Sequence, residues 1–273
     1  MSRWFSWQAL ASCLSSAGLG LMLWLGISVA MLQGRGGDMV LLRHVQHLGL
    51  VMACVLCLFG FAGLRASAAG VIIAARWRRA SAIALVFTLA LAVATIVLLT
   101  RKPVSPGWVA MTSGLLGVSA IATILSAGMF TATSGRTGWR QQMVAPNFLG
   151  YALLAGATLL FALLAIKWPG QGLLAAPAPS LIMLAVVMAA LKALYWFENG
   201  GLRAPIAGFA PADALRARLA VLALLTLLPL VLAMFLFLWP QLAPRLGWCV
   251  ITASILAGGC LERRLLGAEA GIR

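Results

Sequence analysis

Eight runs of apolar residues, separated by short basic or Pro/Gly-rich connections, take up most of this 273-residue chain. They fall near residues 9–32, 48–64, 80–100, 109–131, 148–166, 180–197, 220–239 and 248–266. A bilayer core about 30 Å thick takes roughly 20 apolar residues of helix. A chain in lipid must also satisfy its backbone groups internally. The runs therefore predict an all-α polytopic transmembrane bundle of about eight spans, forming a single integral membrane domain. The widest connection, from Glu198 to Leu219, is too short for a soluble domain, which needs about 50 residues. Composition points the same way, with 63% apolar and only 9% charged residues, where a soluble domain carries about 25% charge. A water-soluble enzyme is excluded.

The first run follows Arg3 and resembles a signal peptide at first sight. It is about 24 residues long and has no small-x-small cleavage site with a polar stretch behind it, so it reads as the first span. The net charge of +15 sits between the apolar runs. It therefore reads as membrane-orienting charge rather than as a nucleic-acid face. With eight spans both termini share a side. Thirteen of the twenty basic residues fall on that side and six on the other, with Lys192 inside a span. The positive-inside bias predicts cytoplasmic N- and C-termini.

Few residues can carry chemistry. The five cysteines lie in or beside apolar runs without the spacing of a zinc or iron–sulfur site. Cys54 and Cys57 share a helix face in mid-span and read as small packing residues. The two histidines, His44 and His47, lie together just before the second run. Neighbours on one helix cannot sandwich a haem. They read as interfacial residues, or as hydrogen-bonding or proton-transfer groups for a quinone. No metal or haem is expected on this chain. The sequence has no Walker loop, no dinucleotide fingerprint and no zincin helix.

Lys192 is the one charge well inside a run, and intramembrane ionisable groups mark functional sites by default. Two readings stay open. Either Lys192 snorkels to the surface beside an aromatic belt of Tyr195 and Trp196, or it is buried, pairing with Glu198 or holding a polar headgroup. On the termini side, Arg76-Trp77-Arg78-Arg79 and the loop containing Arg136, Trp139, Arg140, Gln141 and Gln142 concentrate arginine and tryptophan. These clusters are either topology signals or a docking platform for an acidic soluble partner or anionic lipid.

That loop and its surroundings carry a resemblance. Gly114-Leu-Leu-Gly117, then Met129-Phe130-Thr-Ala-Thr, Arg136, Trp139-Arg140, Pro146 and Phe148-Leu149, resemble the membrane-anchor subunit of dimethyl sulfoxide reductase-type molybdoenzymes. Ser16-Ala-Gly-Leu-Gly20 resembles that family's Gly-rich first helix. Leu261-Glu262-Arg263 and Ala268-Glu269-Ala270 resemble its closing stretch. The chain departs from the family after the second run. The family has a Phe-His-Leu-Gly-x-Pro stretch there whose histidine is tied to quinol, and this chain reads Phe59-Gly-Phe-Ala-Gly-Leu64-Arg65. His47-Leu48-Gly49 has the letters at the other end of the run.

The resemblance implies a membrane anchor in an anaerobic electron-transport complex. A molybdopterin catalytic subunit and an iron–sulfur subunit would be its partners, and quinone its diffusible substrate. The docking residues would be Arg76, Trp77, Arg78, Arg136 and Trp139. Quinone-site candidates are Arg140, Gln141, Asn147, Tyr151, Lys192 and Glu198, with His47 on the opposite side. Two alternatives remain. One is a small-molecule transporter or permease, which the lack of similarity between the two halves disfavours. The other is a purely structural membrane subunit without quinone chemistry.

Overall fold

Each apolar run lies within a longer helix, because hydropathy marks the hydrocarbon layer and the helix continues past it with polar side chains. The computed structural model describes residues 7–32, 39–66, 72–100, 106–134, 142–167, 177–206, 209–239 and 244–270. Its elements are α1 (Trp7–Leu32), α2 (Met39–Ala66), α3 (Ile72–Thr100), α4 (Pro106–Thr133), α5 (Val144–Lys167) and α6 (Ala178–Glu198). They continue with α7 (Pro211–Leu238) and α8 (Pro244–Ala270). No strand occurs among the described residues. Seven of the helices, α1 to α7, are long and apolar enough to cross a membrane. This is a multi-pass membrane protein. The eighth helix has the length, 27 residues, but carries Arg245, Glu262, Arg263, Arg264 and Glu269.

Helix ends shift two placements read from the sequence. His44 and His47 lie on α2 itself, and Arg76, Trp77 and Arg78 lie in the first turns of α3 rather than on a loop. Both sets precede the apolar part of their helix. Pro177 and Pro179 frame the start of α6, where their missing N–H groups leave no bond unmade.

α1 and α5 form the centre. α1 packs against α2, α4, α5 and α8, and α5 packs against α4, α6 and α8 as well. Their sequences are apolar all round, which suits a helix enclosed on every side. Lipid tails are as apolar as leucine, so membrane helices associate through close packing at small residues. At the α1–α5 crossing a Cβ on Gly20 would overlap the Ala152 carbonyl, and one on Gly156 would overlap the Gly20 backbone. α1 and α4 meet similarly, with Gly26 2.7 Å from the Ser113 carbonyl by the same measure. The Trp24 indole N–H donates to the Leu153 carbonyl at 2.9 Å across the centre. Outward-facing Val51, Ile83, Phe87, Val118 and Val187 are exposed on the bundle surface, as a lipid-facing rim requires.

Two breaks in regularity have causes. α6 ends in a Schellman motif: the Gly201 N–H bonds the Trp196 carbonyl at 2.7 Å, and the Gly200 N–H bonds that of Phe197 at 3.4 Å. Gly200 and Gly201 hold φ values of +89° and +85°, which only glycine adopts without strain. In α7 the helix widens over Ala223–Leu227, just before Pro229. Proline lacks the N–H and crowds the preceding turn, and a wider turn relieves this. The Ser254 hydroxyl of α8 donates to the Leu224 carbonyl at 2.7 Å within that turn.

Candidate functional site

Four helices bring polar side chains together about two turns inside the termini end of the bundle. From α6, Lys192 forms an ion pair with Glu262 of α8, with the side chains 1% and 3% exposed. The next residue, Arg263, is 6% exposed. Its guanidinium lies 3.3 Å from the ring centroid of Phe148 and 5.2 Å from that of Tyr151, both on α5. Its Nη2 makes one long bond, 3.4 Å, to the Ser16 hydroxyl of α1. Tyr151 is fully buried, and its hydroxyl is 2.9 Å from Cys13 Sγ on α1. Cys13 also donates to the Leu256 carbonyl at 3.3 Å.

The helices approach closely here for an identifiable reason. Tyr151 lies flat against α8 at Gly259, where a Cβ would collide with its ring. Gly259→Ala is therefore expected to push Tyr151 off Cys13. The absorbance of Tyr151 should change and the melting temperature of the solubilised protein should fall, for about 1–3 kcal/mol of overpacking. An unchanged melting temperature would contradict the packing described.

A second polar group lies one to two turns nearer the helix ends. Arg218 of α7, 1% exposed, donates to Glu269 of α8 at 2.7 Å and 3.0 Å. The same guanidinium holds the carbonyls of Leu202 and Ala204 at 2.7 Å and 2.8 Å. It thereby fastens the connection after α6 to the bundle. The Tyr195 hydroxyl donates to the other oxygen of Glu269 at 2.6 Å. Lys192 Nζ is 5.7 Å from the Tyr195 ring. Glu269, Tyr195, Lys192 and Glu262 thus form a file of ionisable side chains running inward from the α6–α7 connection.

Several buried polar atoms have no hydrogen-bond partner among the described residues. They are Nε and Nη1 of Arg263, Oε2 of Glu262, Oδ1 of Asn147 and, apart from this cluster, Oε2 of Glu198 and Nε2 of His47. Asn147 spends its amide N–H on the Met143 carbonyl of its own helix at 2.6 Å. Buried polar atoms are normally paired, and each exception calls for an explanation. Here they leave donors on Arg263 and acceptors on Asn147 and Glu262, in the chemistry a polar ligand headgroup would meet.

Of the quinone-site residues read from the sequence, the structure brings Tyr151 and Lys192 to this cluster, and Asn147 is buried on α5 one turn before Tyr151. Arg140 and Gln141 lie outside the described residues, as do the docking candidates Arg136 and Trp139. Lys192 does not snorkel and does not pair with Glu198. Its partner is Glu262, and Glu198 lies six residues, about 9 Å of helix, farther along. Tyr195 and Trp196 are not an interfacial belt, since both are buried. His47 is remote. Its Nδ1 donates to the Arg43 carbonyl at 2.8 Å. Gly49 on the same helix packs on Leu163, twelve residues or about 18 Å beyond Tyr151. Arg76 is exposed, with Trp77 and Arg78 half-buried beside it. The sequence reading missed Glu262, Arg263, Cys13 and Arg218 as site residues. A glutamate in the last apolar run was the available signal, because an isolated acid there needs a buried cation.

Among the described residues no three His, Cys, Asp or Glu side chains stand together as metal ligands. Neither protein-family models nor curated proteins give a match to this chain.

Proposed function

We propose that this chain is a membrane anchor subunit that exchanges electrons between the quinone pool and a soluble molybdopterin and iron–sulfur oxidoreductase. The observation that carries the reading is the buried cluster of Lys192, Glu262, Arg263, Tyr151 and Asn147. Quinone reduction or quinol oxidation moves two electrons and two protons. The protein side therefore needs hydrogen bonds to two ring oxygens and a means of moving protons in an apolar slot. The unpartnered Arg263 N–H groups are donors for a ring oxygen. Asn147 Oδ1 and Glu262 Oε2 are acceptors for a ring hydroxyl. Lys192 and Glu262 already share a proton-bearing contact, and Tyr195 and Glu269 extend it toward the α6–α7 connection. When bound, the quinone supplies the two-electron chemistry, and these side chains hold and move protons.

The motif resemblance supplies the partner classes. Part of it, Leu261-Glu262-Arg263 and Ala268-Glu269-Ala270, is the stretch of α8 that lines the cluster. The basic bias of the connections supports cytoplasmic termini, and the bacterial inner membrane is what the resemblance implies. That bias survives the removal of the buried Arg218 and Arg263 from the loop charge, at eleven against six.

The test is purification in gentle detergent from the native host, with metal analysis and quinol-dependent turnover of the whole complex. Molybdenum or tungsten should arrive with iron and two soluble subunits. Asn147→Ala should lower quinol turnover about tenfold, the value of one hydrogen bond, with metal content unchanged. A metal-free chain purified alone from cells that express it stably would overturn the reading and favour the transporter. Metal-loaded complex without quinol turnover would leave a structural subunit, and unaltered quinol turnover in the variant would remove Asn147 from the site.

A further inference from the structure

The ionisable groups inside the bundle do not balance. Lys192 with Glu262 is neutral as a pair wherever the shared proton resides, and Arg218 with Glu269 is a second such pair. Arg263 is left over, and a guanidinium does not lose its proton in a protein. The chain has only five acids, and Asp38 lies outside the described residues. Of the other two, Asp213 is exposed beside Arg216, and Glu198 lies about 9 Å of helix beyond the level of Lys192. With Lys192 protonated, Arg263 is thus left without a counter-ion among the described residues, stacked on Phe148 and 6% exposed. Two of its nitrogens have no acceptor among the described residues. An uncompensated buried charge is strongly unfavourable, so a group with one negative charge belongs against Nε and Nη1.

We infer that this site binds its ring ligand through an ionised oxygen: the ligand class is a quinone or quinol bearing one negative charge on a ring hydroxyl. The inference rests on the quinone reading above and makes it specific. A neutral carbonyl would satisfy the N–H groups but leave the charge. An ionised hydroxyl satisfies both, with charge-assisted hydrogen bonds about twice as strong as neutral ones. Glu262 Oε2 remains as an acceptor for a second, protonated hydroxyl. The same negative oxygen could come from a lipid phosphate, and the test separates these sources.

The experiment is calorimetric titration of the full-length chain in nanodiscs of phosphatidylcholine at neutral pH. The probes are a hydroxynaphthoquinone with its hydroxyl on the quinone ring, ionised at that pH, and its methyl ether, which has the same rings and cannot ionise. The ionised compound should bind about tenfold or more tighter, the value of one charge-assisted bond. In Arg263→Gln, monodisperse on size exclusion, the two should bind alike. Should that variant not fold, the two probes on the unaltered chain still decide the matter. Equal affinity of the two probes for the unaltered chain would overturn the charge inference and leave the quinone reading intact. Binding of neither would overturn both. If phosphatidylglycerol in the discs abolishes the preference, the charge belongs to a lipid headgroup and the ring assignment falls.

Discussion

Gly156→Leu is expected to leave almost no folded protein. α1 and α5 touch backbone to backbone where Gly156 meets Gly20, and a Cβ at either position falls on the opposing main chain rather than on a side chain. A rotamer change cannot relieve that overlap. The helices would have to separate, and α1 and α5 are the two helices against which α2, α4, α6 and α8 pack. Overpacking a core costs about 1–3 kcal/mol when side chains can shift, so a backbone collision at the central crossing should exceed about 3 kcal/mol. Membrane helices have no hydrophobic drive to recover the lost contact elsewhere. The measurement is the monodisperse fraction of detergent-solubilised protein on size exclusion. Gly114→Leu on α4 is the control, since nothing stands within 4 Å of a Cβ there, and its yield should match the unaltered chain. Normal recovery of Gly156→Leu would mean that the α1–α5 crossing is not the centre of the fold.

The helices were legible because lipid makes the pattern simple: every apolar run of sufficient length became one, with ends displaced by a turn or two. Which helix faces which was not legible. Hydropathy has little angular information in helices that are apolar all round, and α1 and α5 are of that kind. The site shows where this matters. Lys192, Asn147 and Tyr151 could be read singly, as a charge inside a span and as donors near a basic end. The partner of Lys192 could not. Glu198 is six residues away in sequence and suggested itself, whereas Glu262 is 70 residues away and meets Lys192 only because α5 and α7 each pack against both α6 and α8 and the two long side chains reach each other between them. Arg218 and Arg263 were hidden differently. Each sits near the end of an apolar run and counts as a loop charge by position. Each is instead turned inward, Arg218 on Glu269 and Arg263 on Phe148. An arginine's long side chain leans toward the start of its helix, and on α8 that direction is into the bundle.

Removing one member of the Lys192–Glu262 pair should destabilise the protein far more than removing both. Lys192→Met leaves a carboxylate buried without its cation, and Glu262→Leu adds a second uncompensated cation beside Arg263. Breaking a buried pair from one side typically costs about 3–5 kcal/mol, whereas replacing both members by apolar groups of similar volume is often neutral or stabilising. The double variant should therefore melt within a few degrees of the unaltered chain, while each single variant melts far below it. The exposed pair Asp213–Arg216, 3.8 Å apart on the surface of α7, gives the contrast. Asp213→Ala should change stability by less than about 1 kcal/mol. Thermal unfolding of the detergent-solubilised chain, run as a four-way cycle, reads the coupling directly. Additive losses in the double variant would mean that the pair is not desolvated, and the account of the cluster as a dry polar site would fall with it. A double variant as stable as the unaltered chain has a further use. A bundle that keeps its fold without Lys192 and Glu262 has no structural need of them. In that case any loss of quinol turnover in the assembled complex belongs to the movement of protons rather than to the integrity of the bundle.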